Sequence, residues 1–430
     1  MGARDFNPPS GSRQVTFLDP GCATSQNLSF GQSNHDTLVT LYVAHKADIL
    51  KYVSCTYEPN SRSGSNEAHA IVTKVDYVNT CQMVLFILWC SVPVNTYKRD
   101  SLHLNFGSSE YASAELDNSP VKVFPQIADR RPRHLVVCMS RLIAFEKWQL
   151  LVTALEVYKF LKVDLVVAHV KSVLTPILEL MKIYEEDGIL ALRTAGRLPS
   201  PPGMDFDPNA ELEHSGQALY AHECMYEFRE SAKFVALLDW DDLLITTKYR
   251  ALWKAFDRAA TKFPEASYFL INSLESTFIK RKKNPSEFDL QEQIQDGVLT
   301  QYVYSHEKMI GTGNGIGDIR YLSHLNLSQW LASSSFQERM GLIKTFHSLP
   351  QEKVYESAME KCDRYIKAMP IIALFEGCTS RERCAFPLSK VPCAIAKDQY
   401  QIQIVKGPNP YGIHTRFRSD FQDTPEGCFQ

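Results

Sequence analysis

Phe234 to Ile245 reads FVALLDWDDLLI, an apolar run that ends in Asp239, Trp240, Asp241 and Asp242 before turning apolar again. A run of this kind folds as a buried strand, and carboxylates crowded at its end repel one another and are costly to desolvate. The chain therefore needs a sheet that buries the strand, an edge where the acidic end meets solvent, and a cation that offsets the charge. The reading is a metal site.

Three chemistries use such an acidic strand end. In nucleotide-sugar transfer, an Asp-x-Asp binds Mn²⁺ or Mg²⁺, which holds the donor's diphosphate and neutralises the leaving group. Haloacid-dehalogenase-type phosphatases use the first Asp as a nucleophile, and two-metal nucleases use acidic clusters. A solvated acidic turn is the plain alternative, because a lone Asp-x-Asp often arises by accident. The phosphatase reading ranks low: its motif opens the domain and wants Thr or Val where Leu243 stands, whereas about a hundred residues of α/β pattern precede this one.

The 430 residues, 44% apolar and 11% aromatic, are enough for a large core and two or three domains. With 46 basic and 49 acidic residues and no basic tract interleaved with aromatics, nucleic acid is not an expected partner. The longest apolar run, Met83 to Cys90, has eight residues, against about 20 for a membrane span, and reads as a buried strand. The opening MGARDFNPPSGSRQV has no apolar signal core. Eleven cysteines without a CxxC pair favour disulfides over a zinc site, with one thiol left over, and point to an oxidising lumen. Asn27 and Asn326 open glycosylation sequons at near-chance frequency. Cysteine use and the missing signal disagree, and a missing N-terminal segment reconciles them.

Residues 1–34 are polar and rich in Gly, Pro and Ser, so a disordered stretch or linker is expected. Residues 35–128 alternate short β-branched runs with turns, the pattern of a small β-rich accessory domain. From residue 129 the rhythm becomes strand, helix, strand: HLVVCM, a helix through Trp148, Leu151, Leu155 and Tyr158, VDLVVA, a helix over 173–186, GILAL, a helix over 218–231, then the acidic strand. This predicts an α/β fold with a mainly parallel sheet flanked by helices over 129–400, and 401–430 as a C-terminal tail. The Asp cluster then falls at the carboxyl end of the fourth strand, where open α/β sheets place ligands. No GxGxxG follows the first strand and no GxxxxGK[ST] occurs, which disfavours dinucleotide enzymes and P-loop NTPases.

The series from HLVVCMSRLIAFEKWQLL through YEEDG, ALYAHECMYEF and FVALLDWDDLL resembles glycosyltransferase family 92 over about residues 130–400. The resemblance implies a GT-A-type fold and inverting transfer of a hexose, galactose in the family, from a UDP-sugar to a glycan hydroxyl. It also implies dependence on Mn²⁺, with Mg²⁺ as substitute, and a single-pass membrane protein of the Golgi, although no anchor is visible in this chain. Expected partners are a UDP-sugar donor and a glycan or glycoprotein acceptor. Asp239 and Asp241 match the family's DxD as metal and nucleotide-sugar ligands, and Asp242 stands where Glu is commoner. Ser140 and Arg141, after the first strand, are candidates for the uridine or diphosphate, Arg being suited to bidentate phosphate contacts. His324 is the candidate third metal ligand, with His347 second. Inversion needs a general base, and Glu275, Asp318, Glu338 and Glu376 are unranked candidates, so the catalytic residue is left unknown. The family's later His-Tyr-Arg segment appears here as His347-Ser348-Leu349, which leaves a weakly active or inactive sugar-binding paralogue as the alternative.

Overall fold

The computed structural model describes residues 14–20, 35–46, 52–58, 64–75, 80–93, 101–107, 120–200, 204–246, 248–278, 285–295, 297–311, 328–345, 355–372, 377–384, 386, 391–405 and 411–429. Its first unit is all β: β1 (Gln14–Pro20), β2 (His35–His45), β3 (Tyr52–Tyr57), β4 (Asn66–His69), β5 (Ile71–Val75), β6 (Met83–Pro93), β7 (His103–Gly107), β8 (Val121–Lys122) and β9 (Gln126–Ile127). One sheet runs β5-β6-β2-β1-β9 and the other β4-β3-β7-β8. Leu38, Tyr42, Phe86 and Leu88 of the first sheet share a core with Val53, Leu102 and Leu104 of the second, and the Cys55–Cys90 disulfide joins the two. The alternate residues Val39, Leu41, Val43, Leu85 and Ile87 pack on Leu212, Leu219 and Tyr220. Burial of both faces explains why β2 and β6 read as continuous apolar runs, a pattern that a half-exposed antiparallel strand does not show. The stretch read as a linker contributes β1, whose residues pair in register with β2 from Gln14↔Tyr42 to Pro20↔Asp36.

The second unit carries β10 (Arg133–Leu142), α1 (Trp148–Phe160), β11 (Leu165–Val170), β12 (Ser172–Leu174), α2 (Thr175–Glu186), β13 (Leu190–Thr194), α3 (Gln217–Phe228), β14 (Ala232–Leu238), α4 (Leu252–Lys262), β15 (Tyr268–Phe278), α5 (Leu290–Gln295) and β16 (Gly297–Gly311). After these come α6 (Ser328–Leu331), α7 (Ser334–Lys344), α8 (Glu356–Ile372) and the hairpin β17 (Cys393–Val405) and β18 (Tyr411–Thr424), which occupies the expected tail. The main sheet runs β13-β11-β10-β14-β16-β15, with the first four strands parallel and the last two antiparallel. Leu135, Val137 and Met139 of β10 face the core with α1, α2 and α4, while Val136 and Cys138 face Phe228 and Cys224 of α3, with Cys138–Cys224 a disulfide. The period-two alternation of one strand thus serves two helical layers, the architecture expected of strands alternating with helices. Local signals agree: α2 opens with Pro176 in its first turn and is followed by Gly188 at φ 78°, the left-handed conformation that glycine tolerates.

Within this core, Glu156 of α1 is fully buried, yet it accepts from Arg339 of α7 at 2.8 and 2.9 Å and from the Tyr184 hydroxyl at 3.0 Å. Burial, followed by the Glu156 charge, pushes the Tyr184 hydroxyl well above its usual range, so it stays a donor. Arg339→Leu is expected to cost about 3 kcal/mol or more, because it strands a buried carboxylate. Urea denaturation checks this, and a loss under about 1 kcal/mol would contradict it.

Candidate metal and nucleotide site

Strand β14 pairs in parallel with β10 through Met139↔Leu238, so Ser140 and Asp239 leave neighbouring strand ends side by side. The chain then turns tightly: the Asp239 N–H donates to Asp242 Oδ2 at 3.2 Å, and the Asp242 N–H donates to the Asp239 carbonyl at 3.0 Å. Trp240 points inward, 6% exposed, and its indole N–H donates to the Ser140 carbonyl at 3.0 Å. From beneath, the Tyr158 hydroxyl accepts the Leu244 N–H at 3.3 Å. Trp240 therefore serves as the anchor that turns the flanking carboxylates outward, which accounts for an aromatic between two aspartates.

One carboxylate oxygen from each of Asp239, Asp241 and Asp242 lies within 4.8 Å of the others, with Asp241 exposed and the other two partly so. Among the described residues this is the one group of three or more potential ligands with metal-binding spacing. Three hard oxygens open to water on one side suit Mg²⁺ or Mn²⁺, which keep several waters and take few carboxylates. The residues fit a divalent cation.

A second element reaches the cluster. Gln217, the first residue of α3, donates from Nε2 to Asp239 Oδ1 at 3.1 Å. Before it, His214, Ser215 and Gly216 all have positive φ, at 43, 55 and 85°, an arrangement that costs about 1 kcal/mol per non-glycine residue and needs an external hold. Ser215 supplies it: its Oγ accepts the Arg381 N–H at 2.9 Å and lies 3.3 Å from Ser380 Oγ. Burial and the Arg381 charge push the His214 imidazole down, while the Asp239 charge pulls it up, so its ring lies within the field of the cluster. Sequence reasoning missed His214 and Gln217. The available signal was Glu213-His214-Ser215-Gly216, polar residues and a glycine directly before a helix.

The other candidates fall differently. Ser140 lies at the site through its carbonyl. Arg141 is buried, bonding Glu382 Oε1 at 2.9 Å and the Tyr220 hydroxyl at 3.2 Å. His324, His347, Asp318 and Glu376 lie outside the described residues, as does the side chain of Glu275 on β15. Glu338 is exposed on α7. Among the described residues the cysteines form five disulfides, as expected of their use: besides those above, Cys81–Cys378, Cys362–Cys384 and Cys393–Cys428. Cys22 lies outside the described residues.

Comparison with known sequences finds that the segment building the six-stranded sheet is similar to a glycosyltransferase family. The sequence model of glycosyltransferase family 92 matches residues 133–312, from the first residue of β10 to just past β16, with the Asp cluster inside. The chain is 30% identical over 193 residues to the Caenorhabditis elegans glycosyltransferase family 92 protein F13G3.3, covering 44% of this chain and 37% of that one. It is 27% identical over 260 residues to F59C6.8 of the same family and organism, covering 58% and 47%. The matches thus span less than half the length of these relatives. The resemblance read from the motifs is borne out at the level of the family.

Proposed function

We propose that the chain is a divalent-metal-dependent, inverting glycosyltransferase that moves a hexose, galactose on the family resemblance, from a UDP-sugar to a glycan hydroxyl. The observation that carries this reading is the three-carboxylate cluster at the carboxyl end of β14, inside the family-matched sheet, at the edge where α/β sheets bind ligands. Asp241, the exposed member, is the principal ligand for Mn²⁺ or Mg²⁺, with Asp239 contacting the ion or the donor ribose. When bound, the cation neutralises the diphosphate leaving group. Gln217 holds the Asp239 carboxylate in place, and Trp240 fixes the turn against Ser140. A carboxylate base takes the acceptor's proton as its oxygen attacks opposite the leaving group.

Five disulfides favour an oxidising compartment, the secretory lumen. Among the described residues, no helix is long and apolar enough to cross a membrane. Calorimetric titration of UDP and UDP-galactose, with Mn²⁺ and then with EDTA, tests the proposal. Binding of both that vanishes with EDTA is expected, and a folded sample that binds neither would favour a non-enzymatic sugar-binding paralogue.

A further inference from the structure

Four neighbouring parallel strands end beside one another, and each brings a charge. Arg197 follows β13, Lys171 follows β11, Arg141 lies at the end of β10, and Asp239 follows β14. The three cations meet one carboxylate, Glu382. It accepts from Arg141 at 2.9 Å and from Arg197 at 3.1 Å, and it pairs with the Lys171 ammonium. The side chains of Arg141, Lys171 and Glu382 are only 5, 4 and 3% exposed. Asp207 takes the other end of Arg197. Arg141 Nε is buried without a hydrogen-bond partner. Buried charges are ordinarily matched, and this group holds more cations than carboxylates, with a donor unused.

Glu382 sits on a short strap held at both ends. Cys378 bonds to Cys81 of the β-sandwich and Cys384 to Cys362 of α8. Between them, Ser380 donates to the Asn209 carbonyl at 2.7 Å, Arg381 bonds Ser215, and Arg383 pairs with Glu211 at 3.2 Å. The same strap that steadies the His214–Gln217 turn beside Asp239 therefore carries the counter-charge for the cations.

We propose that Glu382 is a positioning residue of the donor site, which gathers Arg141 and Lys171 at the strand ends beside Ser140 and Asp239 so that their charged heads are fixed behind the edge where the diphosphate of a nucleotide donor lies. The role rests on the donor reading given above. Burial, followed by repulsion from Arg141 and Arg197, pulls the Lys171 ammonium down to about 8, against the attraction of Glu382. Lys171 is protonated below that value and loses its proton above it. Glu382 is an attraction that raises it, so removing Glu382 lowers it further, and Lys171 then holds its proton less firmly at about pH 7.5 than at about pH 6.5.

The test is calorimetric titration of UDP with Mn²⁺ into the full chain and its Glu382→Gln and Glu382→Asp variants, at about pH 7.5 and about pH 6.5. Glu382→Gln is expected to weaken UDP binding about tenfold or more at the higher pH, with the ratio to the parent shrinking at the lower one as Lys171 regains its proton. Glu382→Asp, keeping the charge, is expected to restore most of the affinity. Parent-like or tighter binding by Glu382→Gln overturns the role, and so does a loss independent of pH. Should that variant fail to fold, Lys171→Met with Glu382→Gln removes both charges, a change that buried pairs often tolerate. The double variant is expected to show the loss without pH recovery, and parent-like affinity there also overturns the role. Failure of the parent chain itself to bind UDP overturns the donor reading, and shows in the first titration.

Discussion

Asp241→Ala is expected to weaken Mn²⁺-dependent UDP binding about a hundredfold, about 3 kcal/mol, with little change in the melting temperature. The two halves follow from one fact: Asp241 is the exposed member of the cluster and carries no part of the turn, which Asp239, Trp240 and Asp242 hold by their own hydrogen bonds. Removing an exposed carboxylate from a mutually repelling group changes stability by no more than about 0.5 kcal/mol. It also deletes the ligand with the freest approach to a cation. Calorimetry and a thermal melt on the same sample measure both halves, and unchanged UDP affinity would refute the metal assignment.

The second large effect concerns the clamp. Cys81→Ala with Cys378→Ala opens a cross-link between residues 297 apart, and chain-entropy arguments give a loss of about 5 kcal/mol. The same substitutions at Cys362 and Cys384, separated by 22 residues, are expected to cost about 3 kcal/mol. Urea denaturation under non-oxidising handling compares the pairs. If the shorter loop proves the more costly, the strap is held chiefly by α8 and not by the sandwich.

What could be read from the chain was whatever depends on near neighbours. The apolar run into Asp239 and the helical spacing from Trp148 to Tyr158 place β14 and α1, and hence a site at the sheet's carboxyl edge. The contacts that complete that edge join distant segments: Glu382 meets Lys171 across 211 residues and Arg141 across 241. No local period encodes such a meeting, nor the pairing of ten cysteines. The hairpin at the C-terminus is a different case. Ile402 and Ile404 alternate with polar residues before GPNP, a strand-and-turn signal, but both are more than half exposed in the fold, so the segment resembles a polar tail. Strand β1 was hidden similarly, as seven residues among Gly, Pro and Ser.

Strands β2 and β6 lend one face to the sandwich core and the other to α3 and the loop before it. The match to the family model begins at Arg133, whereas the packing that covers α3 begins upstream of it. A fragment cut to residues 133–312 would bare Leu219 and Tyr220, strand the buried Arg141 and Lys171 without Glu382, and leave α3, the helix that holds Asp239, wetted on its outer side. The β-sandwich is in this sense the outer wall of the layer that carries Asp239, and the two cannot be parted without resurfacing that helix.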